Sequence, residues 1–91
     1  MAKVILQGFI TVPKGDLDKV KAELTNHIRL TRAEAGCLTF EVNQDSEEIT
    51  KFSVYEEFID EIAFYAHQDR AKNSNWAKVT NNVERHYKVN L

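Results

Sequence analysis

The stretch Cys37-Leu38-Thr39-Phe40-Glu41-Val42-Asn43, then Gln44-Asp45-Ser46-Glu47-Glu48, then Ile49-Thr50-Lys51-Phe52-Ser53-Val54-Tyr55-Glu56-Glu57-Phe58 decides the fold. In the first run Leu38, Phe40 and Val42 alternate with Cys37, Thr39 and Glu41, the period of two that marks a strand. In the last run Phe52, Val54 and Phe58 share a face with Thr50 and Glu56, while Ser53 and Tyr55 take the other. The polar link between the runs is too short for a crossover, so the two strands form an antiparallel hairpin.

Upstream of the hairpin the period changes. From Leu17 to about Ala35, Leu17, Val20, Leu24, Ile28 and Thr31 line one helical stripe, and Lys19, Lys21, Glu23, Asn26 and Arg29 fall mainly outside it. Asp16 is placed to cap the helix start, and Gly36 can take the left-handed conformation that ends it. Before Pro13-Lys14-Gly15, a turn, Lys3 to Val12 reads as a strand. Val4, Leu6, Gly8, Ile10 and Val12 face one way, and Ile5, Gln7, Phe9 and Thr11 the other.

Downstream, Asp60 caps a short helix containing Ile62, Ala63, Tyr65 and Ala66, which Gln68-Asp69-Arg70 is expected to kink or break. A further helical stretch aligns Trp76, Val79 and Val83. A last strand, Arg85 to Leu91, carries Tyr87, Val89 and Leu91 on its apolar face. The order β-α-β-β-α(α)-β predicts an α+β, ferredoxin-like split βαβ fold with a four-stranded antiparallel sheet and helices on one side. Ile5, Phe9, Cys37 and Tyr55 make the other side apolar, so two sheets are expected to face each other in a homodimer, a dimeric α+β barrel.

The 91 residues suit one domain, 1–91, and a chain this small gains core by dimerising. With 43% hydrophobic and 29% charged residues the composition is that of a folded domain rather than a disordered one. Net charge is −2 and no basic run occurs, so neither nucleic acid nor an acidic membrane surface is an expected partner. No apolar run approaches the roughly 20 residues of a membrane-spanning helix. One cysteine, Cys37, and no basic start followed by an apolar segment lead to an expected cytoplasmic location.

Three stretches resemble the antibiotic biosynthesis monooxygenase (ABM) superfamily, which includes quinol monooxygenases. Thr31-Arg32-Ala33-Glu34-Ala35-Gly36-Cys37-Leu38-Thr39-Phe40 is similar to its T-R-x-E-x-G-C-x-x-[YF] junction between helix and strand. Tyr55-Glu56-Glu57-Phe58 is similar to its Y-E-x-W/F strand end, and Ala63-Phe64-Tyr65-Ala66-His67 to its A-x-x-x-H helix. Phe58 stands where the family usually has tryptophan. Ser74-Asn75-Trp76 stands where many members carry Ser-x-His-Phe, so Asn75 cannot supply that histidine's proton transfer. A haem-degrading branch uses an asparagine, a tryptophan and a histidine where this chain has Gly8, Phe58 and Asn75, so the resemblance does not extend to haem degradation. It implies a cofactor-independent monooxygenase that oxidises a quinol or related dihydroxyaromatic molecule with O2.

The histidines His27, His67 and His86 show no metal-ligand spacing, and Gly8, Gly15 and Gly36 form no phosphate-binding fingerprint, so no metal or cofactor is expected. His67, on the family-like helix, is the expected catalytic acid/base, with a structural imidazole bonded to a backbone carbonyl as the bland alternative. His27, Tyr55, Phe58, Tyr65 and Trp76 are the expected substrate-binding residues. For Tyr55 the competing role is the dimer interface, for Trp76 core packing, for His27 a buried structural imidazole, and for Tyr65 the core. Arg32 and Glu34 are expected as a solvated pair or an anchor of the helix end, Glu41 inside the dimer barrel, and Cys37 as structural. Two other functions use the same pocket. One is isomerisation or processing of a small oxygenated metabolite or signalling molecule. The other is non-catalytic binding of a small ligand by a dimeric domain.

Overall fold

The computed structural model describes residues 2–90. The elements run β1 (Val4–Thr11), α1 (Leu17–Arg32), β2 (Cys37–Gln44), β3 (Lys51–Phe58), α2 (Glu61–Lys72), α3 (Asn75–Val79) and β4 (Glu84–Val89). The sheet order is β2-β3-β1-β4, all antiparallel, and the helices pack on one face. This is the ferredoxin-like α+β fold, and its two central strands, β3 and β1, carry most of the buried side chains of the sheet. No helix among the described residues is long and apolar enough to cross a membrane.

Strand alternation sets the core. Val4, Leu6 and Ile10 of β1 pair with Phe58, Glu56 and Phe52 of β3, and every one of these side chains is buried. α1 lays Val20, Leu24, His27 and Thr31 on this layer, one residue per turn. Asp60 caps α2 as the sequence suggests, its Oδ1 accepting from the Ala63 N–H at 2.8 Å. Asp16 stands at the start of α1, but its carboxylate pairs with Lys19 Nζ (3.3 Å) and accepts no backbone N–H.

Several sequence expectations are corrected. The first helix stops at Arg32, before the turn in which Gly36 takes φ +86°. A β-bulge lies between Cys37 and Thr39, so the phase of β2 inverts there. Cys37 pairs with Phe58 and packs against the core, and Leu38 is expelled to 51% exposure. Cys37 therefore does not belong to the open sheet face, while Ile49 precedes β3 and is exposed. Gln68-Asp69-Arg70 does not break α2, which continues to Lys72. Val83 is buried beyond the end of α3, and Leu91 lies outside the described residues. Gly8 has φ +156°, and a Cβ there would lie 1.9 Å from the His86 carbonyl oxygen, so only glycine lets β4 approach β1.

Candidate active site

Between the sheet and the helices α2 and α3 lies a cavity of about 600 Å³. β3 supplies Val54 and Glu56, β2 supplies Phe40 and Val42, and α1 contributes His27. From α2 come Tyr65 and His67, from α3 Trp76, and from β4 Arg85 and Tyr87. This size and mixture, mostly apolar walls with a few converging polar groups, suit a small organic molecule.

His67 sits at the inner wall, buried to 4% exposure because its position on α2 points at the sheet. Its Nδ1 lies 2.7 Å from Glu34 Oε1, and Glu34 Oε2 accepts from Arg70 Nε at 2.9 Å. Arg70 also donates to Thr31 Oγ1 at 2.9 Å, tying α2 to the end of α1. Burial pushes the Glu34 carboxyl up, but the hydrogen bonds from Arg70 and His67 together hold it below the usual carboxylate range. A carboxylate only accepts, so Nδ1 carries the proton and a neutral His67 presents Nε2 as a lone pair. Desolvation lowers the His67 pKa against the opposing pull of Glu34, which favours that neutral form.

The Nε2 edge looks toward Glu56 Oε1 at 3.8 Å, too far for a direct hydrogen bond. Glu56 is 6% exposed and Oε1 has no hydrogen-bond partner. Its cross-strand neighbours are Leu6 and Phe40. Burial, with the Glu34 charge adding to it, pushes this carboxyl up to about 7. His27 is buried against Trp76, the rings stacked at 4.7 Å and 7°. Desolvation, with the His67 and Arg70 charges adding, lowers the His27 pKa to about 3, so it is neutral, and its Nδ1 also lacks a partner.

Of the sequence-derived candidates, the structure brings His67, His27, Tyr65 and Trp76 to one cavity, with Tyr65 exposed at its mouth. Phe58 is fully buried and does not line it. The ring stacks on His67 at 5.0 Å and supports the imidazole from behind. Tyr55 is turned away altogether, because odd-numbered residues of β3 face the open side of the sheet, where it lies near Phe9, His86 and Lys88. Glu34 is no solvated helix-end charge but the partner of His67, while Arg32 anchors the helix end by donating to the Phe40 carbonyl at 2.8 and 3.0 Å. Glu56, Arg70, Arg85 and Tyr87 were not singled out from the sequence as site residues. Only Glu56 carried a legible signal, a carboxylate in phase with Phe52, Val54 and Phe58. Among the described residues no three His, Cys, Asp or Glu side chains converge as a metal site requires.

The site is thus a half-open, aromatic-lined cavity with a His–Glu pair in its wall, set between the helices and the sheet of a ferredoxin-like α+β domain. The antibiotic biosynthesis monooxygenase family model matches residues 3–79, and the chain belongs to that family. The fold is shared with solved structures of low identity. The Pseudomonas aeruginosa protein PA3566 is 24% identical at a TM-score of 0.80, covering 99% of this chain and 91% of that one. A Bacteroides thetaiotaomicron protein, provisionally named an antibiotic biosynthesis monooxygenase, is 18% identical at a TM-score of 0.82, covering 96% and 84%. A Nitrosomonas europaea protein with the same provisional name is 18% identical at 0.78, again covering 96% and 84%. A comparison with curated proteins gives no match.

Proposed function

We propose that the protein is a cofactor-independent monooxygenase that oxidises a quinol or related dihydroxyaromatic molecule with O2. The observation that carries this reading is the His67–Glu34 pair, whose Nδ1···Oε1 contact of 2.7 Å leaves Nε2 as a base in the wall of an aromatic-lined cavity. His67 Nε2 takes the proton of a substrate hydroxyl, and Glu34 stabilises the imidazolium that forms. Trp76, Phe40 and Tyr65 supply apolar walls for a ring, and the electron-rich anion itself reduces O2. For a 1,4-dihydroxynaphthalene, one oxygen atom enters the ring carbon, the other leaves as water, and all four electrons come from the substrate.

The open sheet face supports a homodimer within the same proposal. Ile5, Phe9 and Tyr55 are only half-buried there, with His86 stacked on Phe9 at 4.6 Å. A cytoplasmic setting belongs to the proposal as well.

The test is anaerobic mixing with a panel of naphtho- and anthrahydroquinones, followed by air in an oxygen electrode. Enzyme-dependent O2 uptake with appearance of the hydroxyquinone is expected, and His67→Ala should lower the rate about 10²-fold or more. Turnover without O2 consumption would replace this reading by isomerisation. No uptake across the panel would refute it.

A further inference from the structure

Glu56 is a buried carboxyl that the proton-transfer pair above does not use. It projects from a central strand between Leu6 and Phe40, with Val54 and Phe58 two residues away on the same face. Among the described residues no lysine or arginine lies within ion-pair distance of it. Arg70 is engaged by Glu34 and Thr31, and Arg85 donates to Thr80 Oγ1 at 2.9 Å. Its Oε1 has no partner, is 3.8 Å from His67 Nε2, and borders the cavity. Two polar atoms at that separation, on residues that both line the cavity, are complementary to one shared oxygen. An oxygen about 2.8 Å from both subtends an angle of roughly 85°, within the broad acceptor distribution of a phenolate.

We propose that Glu56 binds as a neutral carboxylic acid to the substrate oxygen that His67 deprotonates, and that the cavity thereby selects ligands presenting a phenolate-type oxygen. This rests on the dihydroxyaromatic reading and adds to it the group that holds the anion. When His67 acts, the substrate O–H bond breaks and the Nε2–H bond forms, while Glu56 keeps its proton and donates a hydrogen bond to the new oxyanion. A carboxyl held neutral by an apolar site is suited to that task, since its donated bond to an anion strengthens as charge develops.

A bound anion also makes Glu56 hold its proton more tightly, so binding is linked to proton uptake at pH values where the free carboxyl is ionised. The other titratable or charged groups that line this cavity or border its inner wall are Tyr65, His67, Asp69, Arg70 and Lys72 of α2, His27 from α1, Glu34 from the turn after it, Cys37 of β2, and Arg85 and Tyr87 of β4. All are retained in Glu56→Gln, so a difference between the two proteins isolates Glu56.

The probe is 2-hydroxy-1,4-naphthoquinone, an already oxidised anion that O2 does not consume. Binding is followed by quenching of Trp76, the chain's one tryptophan, and by calorimetry at pH 6.5 and 8 in buffers of different ionisation enthalpy. Above pH 7 wild type should lose about tenfold more affinity per pH unit than Glu56→Gln, because a proton taken up by His67 on binding the anion is common to both. Proton uptake at pH 8 should fall by about one proton in Glu56→Gln. Glu56→Leu, which has no donor, should bind at least about tenfold more weakly than wild type at pH 6.5. If Leu at this position fails to fold, the Gln comparison decides alone. Equal proton uptake and equal pH profiles in wild type and Glu56→Gln would overturn the inference and leave the quinol reading standing. Absence of binding by every variant would overturn both.

Discussion

Replacing Glu56 by Gln should stabilise the protein in a pH-dependent way, and the size of the effect follows from where the side chain lies. In the unfolded chain the carboxyl ionises near its ordinary value of 4.5, but in the fold, burial and the Glu34 charge keep the proton on until about 7. Between those values the native state binds more protons than the unfolded state, so this group's contribution to stability falls as pH rises from 4.5 to 7. It then stays flat. A rise of that size, at about 1.4 kcal/mol per pKa unit, costs wild type on the order of 3 kcal/mol above pH 7. Glutamine is nearly isosteric and does not ionise, and the remaining titrating groups are common to both proteins. The difference in unfolding free energy should therefore be smallest at pH 4.5 and should open in favour of Glu56→Gln by about 3 kcal/mol at pH 8. In a domain of this length that is a shift in Tm of more than about 10 °C. Urea titrations at pH 4.5, 6, 7 and 8, read by far-ultraviolet circular dichroism, measure it directly. Parallel stability profiles, or a gap that closes as pH rises, would refute the reasoning that the carboxyl is buried without compensation.

Acid stability should depend on His27. Its native pKa of about 3 lies below the ordinary 6.5, so its contribution is complete above pH 6.5 and is lost as pH falls toward 3. His27→Phe, which can keep the stack on Trp76, should move the acid-unfolding midpoint downward, and an unchanged midpoint would contradict the burial of a neutral imidazole. Glu34→Gln should reverse the tautomer of His67, because an amide can donate to Nδ1. A kcat/KM loss of about 10²-fold or more, with the proton found on Nε2 by ¹⁵N chemical shift, is expected, and a fully active variant would show that Glu34 does not set the base. Gly8→Ala should separate β4 from β1, since the added methyl meets the His86 carbonyl. A destabilisation above about 2 kcal/mol with loss of amide protection along Glu84–Val89 is expected, and unchanged protection would refute the close approach.

The strand phases were legible because each central strand must keep one face under helices, and a period of two admits few alternatives. The reading failed at Cys37 and Leu38 for a local reason. One extra residue in β2 inverts every phase upstream of it, and nothing in Cys37-Leu38-Thr39 marks the bulge. His27 and His67 were found because helical phase and the family-like helix put them toward the sheet. Glu34 was not, because its direction is fixed by a turn after α1 and by the approach of α2, 33 residues further on. Tyr55 was grouped with the cavity although its own alternation with Val54 and Glu56 places it on the opposite face. The same alternation had already put Glu56 under the helices. A carboxylate there, beside Leu6 and Phe40 and with no cation bonded to it, is a local conflict that Gln or Leu would relieve at little steric cost. Sequences that break a packing rule in this way do so mostly where function requires it. The conflict therefore points to the proposed site independently of the histidines, and the lost stability and the candidate anion-holding group are two consequences of one buried carboxyl.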